Sequence, residues 1–127
     1  MYFIGYIDVR DLARAHVSAL KSPPEAAIGR KRLLIASPHG LNYKRAVEFI
    51  AEKRPELKDR LVDANKAPVF PLDTMPLDLD RVEAVTGVKV DSYISWQDTI
   101  LDTVDELIKL EKDWVSKGFS VEVPIPA

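Results

Sequence analysis

The sequence contains no cysteine, which excludes disulfides, thiolate nucleophiles and thiolate metal ligands from its chemistry. Its five glycines, Gly5, Gly29, Gly40, Gly87 and Gly118, are scattered and never form Gly-x-Gly. No loop of this chain can therefore cradle a phosphate through a glycine-rich backbone. The two histidines, His16 and His39, are isolated, with no metal-binding spacing, so the sequence predicts no metal site. Eighteen Lys and Arg stand against 20 Asp and Glu, so no basic excess exists to bind nucleic acid. Long apolar runs are also missing, which excludes a membrane span, and the start "MYFIGYIDVRD" lacks a signal-peptide pattern. These absences together predict a cytoplasmic chain. Neither an internal repeat nor a low-complexity segment is present.

What is there is an ordinary globular composition, 46% hydrophobic, on a chain of 127 residues, enough for one domain with its own core. The nearly continuous apolar run Phe3 to Val9 is rich in β-formers, the pattern of a strand covered on both faces. Asp11 is a good N-cap for a helix whose Leu12, Ala15, His16, Ala19 and Leu20 share one face, and Pro23 and Pro24 end it. "RLLIAS" (Arg32 to Ser37) reads as a second strand and "SPHG" as a turn, so strand, helix, strand suggests a parallel crossover unit.

Further on, Asn42 caps a helix over about Tyr43 to Lys53, closed by Pro55. Glu56 to Met75 is polar and proline-punctuated and reads as a surface loop. Asp78 and Asp80 introduce a short helix with Leu79, Val82 and Val85 on one face and Gly87 past its end. Ser95 with Asp98 gives a weak capping box for the longest helix, about Trp96 to Lys117, whose stripe is Ile100, Val104, Leu107, Ile108 and Val115. The tail "FSVEVPIPA", with Pro124 and Pro126, is at best an edge strand. The fold class is thus α/β, short parallel strands with four helices. Residues 1–37 hold the strands and crossover helix, and 38–127 are mainly helical.

Few residues point to chemistry. His16 lies in the apolar stripe of its helix and reads as a packed, hydrogen-bonded core histidine. Ser37 and His39 are two apart on a turn without a nucleophile elbow, which gives no catalytic pair. Asp73, Asp78 and Asp80 lack the glycine and terminal glutamate of a calcium loop and read as helix N-terminal charge. The helix bearing Trp96 and Trp114 could face a partner, although such a stripe is more simply core. The remaining candidate is the junction of Asp8, Arg10 and Asp11. On a structural reading, an ion pair pins the strand end to the helix start; on a functional one, Asp8 or Arg10 lines a crevice at the carboxyl end of a strand. The capping role of the aspartate favours the structural reading.

"YIDVRDLARAHVSAL" (Tyr6 to Leu20) resembles the segment that follows the catalytic half of extended short-chain dehydrogenases/reductases, of the NAD-dependent epimerase/dehydratase superfamily. The likeness is to the branch with dihydroflavonol reductases, cinnamoyl-CoA reductases and fungal aldehyde or ketone reductases. "GRKRLLIAS" resembles that family's last Rossmann strand, and "NYKRAVEFIAEKRPEL" the helix after it. "LDLDRVEAVTGVKV" resembles a late segment with a Lys or Arg (here Arg81) and a Leu-Gly (here Thr86-Gly87), and "SWQDTILDTVDELIKLE" the final helix. In order and spacing the likeness spans about Tyr6 to Trp114. It implies the C-terminal, substrate-side lobe of a Rossmann-like reductase whose nucleotide-binding half is missing from this chain. The parent would use NADP or NAD on a small-molecule carbonyl or alcohol substrate. The family's glycine-rich loop, its Ser or Thr and its Tyr-x-x-x-Lys match no position here; Tyr2, Tyr6, Tyr43 and Tyr93 have no lysine four residues on. The resemblance therefore transfers no catalytic or cofactor-binding residue and implies a chain inactive alone, its exposed sheet edge open to another protein chain. The alternative is a non-enzymatic binding or regulatory module derived from the same lobe.

Overall fold

The computed structural model describes residues 5–66 and 76–121. Among them every regular element is helical, and no strand occurs. The α/β expectation with short parallel strands is therefore overturned. Gly5 to Asp8 and Arg30 to Ser37 run without a ladder, and one backbone bond links the two stretches, Ser37 N–H to Tyr6 O at 2.7 Å. β-forming side chains do not make a strand unless a neighbour pairs the backbone along its length, and a single bond between two short stretches is too little. Phe3 and Ile4 of the expected first strand, the end of the surface loop with Asp73, and the tail from Glu122 lie outside the described residues.

The chain divides into two compact units, Met1–Gly40 with Phe70–Ser95, and Leu41–Val69 with Trp96–Ala127. In the first, α1 (Val9–Ala19) packs against α4 (Leu79–Thr86), with the four-residue α2 (Glu25–Ile28) between them in sequence. Ala15, Val88 and Tyr93 form its core cluster, with Ile7 and Ile35 against it. Asp78 caps α4 by accepting the Arg81 N–H at 2.9 Å, and Gly87 ends it in the left-handed region at φ 71°, its N–H on the Glu83 carbonyl. Buried Thr86 is satisfied twice, donating to Val82 O and accepting from Val88 N–H. Arg81 donates to the carbonyls of Ile28 and Arg30 and so fastens the turn after α2 to α4.

In the second unit, α3 (Tyr43–Lys53) packs on α5 (Trp96–Ser116) and on the 3₁₀ turns Pro55–Arg60 and Ala64–Lys66. Asn42 caps α3 as its sequence predicts, accepting the Arg45 N–H. Pro55 closes α3 and opens the 3₁₀ turn, so the first part of the expected loop is helical. α5 closes with Gly118 at φ 83°, where Phe119 N–H reaches Trp114 O and Gly118 N–H reaches Val115 O, the paired bonds that satisfy a helix's last carbonyls. Ile100, Val104 and Ile108 are partly buried, whereas Leu107 and Val115 of the expected stripe are exposed. No helix among the described residues is long and apolar enough to cross a membrane.

Candidate functional site

Helix α1 begins at Val9, so Asp8 rather than Asp11 is its N-cap. The Asp8 carboxylate accepts the Arg10 backbone N–H at 2.9 Å and the Arg10 guanidinium through Nε (2.9 Å) and Nη2 (2.7 Å). One carboxylate thereby satisfies a helix-start donor and holds its own counter-ion in a two-point fork.

Asp11, released from capping, turns inward and is only 2% exposed, with Asp8 at 3%. Its Oδ1 accepts from Arg14 Nη2 at 2.6 Å and its Oδ2 from the Ile94 N–H at 2.9 Å. The same Arg14 nitrogen donates to the Ser92 carbonyl at 2.7 Å. The first turn of α1 is thus clamped to residues 92–94 by charge-assisted bonds. Of the three junction residues singled out in the sequence, all sit together, and Arg14 is the member sequence reasoning missed. Its signal was the i, i+3 spacing from Asp11.

Two phenols border the clamp. Burial pushes the Tyr93 hydroxyl above the usual phenol range, with the nearby Asp11 charge adding to it and Arg14 opposing. Burial raises Tyr6 as well, with the Ser37 side chain opposing it, and among the described residues neither phenol oxygen has a partner in hydrogen-bonding geometry. These bonds fasten the first turn of α1 to residues 92–94, with the neutral Tyr93 phenol enclosed beside them.

The other expected positions are placed plainly. His16 is exposed, not core, its Nδ1 2.8 Å from the Leu12 carbonyl. That overturns the packed-histidine reading: the buried face of α1 runs through Asp8, Asp11 and Ala15, roughly a quarter turn from the apolar stripe. The Ser37 hydroxyl accepts the His39 backbone N–H at 3.2 Å, an ordinary turn bond. Among the described residues no three His, Asp or Glu side chains converge as a metal site would need.

The second unit holds a concave surface that no single motif announces. A groove of about 290 Å³ lies between the 3₁₀ turn Pro55–Arg60 and α5, lined by Leu57, Leu61, Val104, Ile108 and Trp114 among others. Arg60 and Glu111, ion-paired at 2.8 Å, are its polar members. Beside it, Arg54 grips both oxygens of Asp105 through one guanidinium edge, Nε at 2.7 Å and Nη2 beside it. This bond holds the Asp105 carboxyl below the usual carboxylate range and raises Arg54 in turn. Each of the two pairs joins residues 51 apart in sequence, anchoring the segment after α3 to successive turns of α5. At the start of α5, Trp96 meets Phe49 edge to face at 5.2 Å and lies under Arg45.

No family model, no curated protein and no solved structure matches this chain.

Proposed function

We propose that the chain is the substrate-side segment of an NAD(P)-dependent reductase of the extended short-chain type, acting on a carbonyl or alcohol in the cytoplasm. The observation that carries this reading is the apolar groove between the 3₁₀ turn and α5. It is built from Leu57 and Leu61, in and just after the 3₁₀ turn that follows α3, and from Trp114 and Ile108 of the final helix. Its volume is near the lower end of what small-molecule sites use, and its lining is apolar with one ion pair. Such a wall suits the non-reacting, apolar body of an aromatic or aliphatic carbonyl compound.

The reading assigns the chain binding and shaping, not proton or hydride transfer. The junction of Asp8, Arg10, Asp11 and Arg14 supports it as a fastening of the substrate lobe. Dinucleotide and the acid that protonates the carbonyl oxygen belong to residues this chain does not contain. The test has two readouts. The purified chain should leave NADPH fluorescence unchanged, and an aryl ketone should shift the tryptophan emission, an effect lost in Trp114→Phe and in a lysine substitution of Leu107, which also lines the groove. NADPH-dependent turnover by the isolated chain, or an aryl ketone response that Leu107→Lys leaves intact, would overturn the reading.

A further inference from the structure

Helix α1 buries one face through Asp11 and Ala15 and leaves the opposite face open. Val9, Ala13, His16, Val17 and Leu20 fall within about 100° of one another on a helix of 3.6 residues per turn. All five are exposed; Val9 stands at 74%, Val17 at 64% and Leu20 at 86%. A helix directs its apolar stripe towards a packing partner, and among the described residues this stripe stays exposed.

The stripe does not end in neutral surface. Leu20 is followed by Lys21, and Ser22 Oγ receives a hydrogen bond from Lys31 Nζ at 2.8 Å, which brings the turn Arg30 to Arg32 alongside the C-terminal end of α1. The Arg81 bonds to Ile28 and Arg30 carbonyls hold that turn in place. Lys21, Arg30, Lys31 and Arg32 are exposed and make no ion pair among the described residues. Against a net charge of −2 for the whole sequence, this is a local concentration of positive charge at one end of an apolar ridge.

We propose that the outer face of α1 and the basic turn Arg30 to Arg32 form a docking surface for an amphipathic helix of a partner protein whose first turn is acidic. The partner lies antiparallel to α1, its leucine-type residues on either side of the low point at Ala13, its carboxylates against Arg30 and Arg32. Acidic residues in a first turn also stabilise the partner's own helix, so one set of charges serves both ends. A second copy of this chain fits poorly. In a parallel pair the basic ends would face each other, and in an antiparallel pair they would meet Asp8 and Asp11, already neutralised by Arg10 and Arg14. A lipid surface fits less well too, because the stripe has three large aliphatic residues and no aromatic anchor. The inference rests on the exposure and charge of this face and stands apart from the reductase reading, which rests on the groove of the other unit.

The test uses the full chain and a synthetic helical peptide with leucines at i, i+4, i+7 and i+11 and glutamates in its first turn, labelled for fluorescence anisotropy. Binding should weaken as salt rises, fall by about tenfold or more in Leu20→Glu, and fall again in the double variant Arg30→Glu, Arg32→Glu. A charge-reversed peptide should bind the double variant better than the parent chain. Circular dichroism checks that each variant keeps its helix content. The proposal is overturned by no binding, by binding that Leu20→Glu leaves unchanged, or by equal binding of the charge-reversed peptide to the parent chain. It is equally overturned if Leu20→Glu abolishes self-association in sedimentation, or if phosphatidylserine vesicles bind the chain through this face and the peptide does not.

Discussion

Asp11 and Asp8 show how two like residues, three apart, come to do unlike work. Asp8 stands at the helix start, where its carboxylate meets an unsatisfied N–H and a guanidinium that is half in water. Asp11 is enclosed, and its charge is tolerable only because Arg14 and the Ile94 N–H together occupy both oxygens. Removing the two carboxylates should therefore cost different amounts. Asp8→Ala should lose about 1 kcal/mol, the worth of a cap, with little more from the exposed side of its ion pair. Asp11→Ala should lose about 2–3 kcal/mol, since it leaves the half-buried Ile94 N–H unpaired and takes the buried end off a charge-assisted bond. Urea unfolding of the two variants checks this; equal losses would mean that Asp11 is no clamp.

At the scale of elements, what could be read from sequence was what local chemistry decides. Asn42 and Asp78 cap the helices predicted for them, because a short polar side chain at a helix start finds its N–H within three residues. Gly87 and Gly118 end theirs at positive φ for the same local reason. Gly87→Ala should accordingly cost about 1 kcal/mol in backbone strain alone, because a Cβ there would meet nothing within 4 Å. A melting temperature unchanged by that substitution would contradict the left-handed cap. The strands were misread because strand formation is not local: Ile7 and Ile35 pack as apolar residues without a ladder to hold their backbones. The orientation of α1 was misread because hydrophobic periodicity cannot anticipate a buried face built around two aspartates. The groove was not legible, since Glu56 to Met75 read only as a polar surface loop and its closure by Arg54 and Arg60 on α5 depends on pairs 51 residues apart.

For the whole molecule, the titrating groups that depart from ordinary behaviour fall in different units, and they give the stability profile two independent limbs. In the second unit, Arg54 holds the Asp105 carboxyl below its usual range. A depressed carboxylate contributes stability that is present above its unfolded value and is lost as pH falls through the folded one, so this limb is acidic. In the first unit, burial raises the Tyr6 and Tyr93 phenols. A raised group contributes stability that is complete below the unfolded value, about 10 for a phenol, and is lost as pH rises through the folded one, so this limb is alkaline. Between the limbs these groups leave stability level, since the carboxylate is ionised and the phenols are neutral in both states. The urea midpoint followed across pH should therefore fall at both ends. Arg54→Ala should make the acid limb shallower and leave the alkaline limb alone. Tyr93→Phe should do the reverse, and it should raise the plateau by about 1 kcal/mol because it removes a buried hydroxyl without a partner among the described residues. An alkaline limb identical in the parent chain and Tyr93→Phe would show that the phenol is not sealed in the core, and with it would go the enclosure that makes Asp11 a clamp.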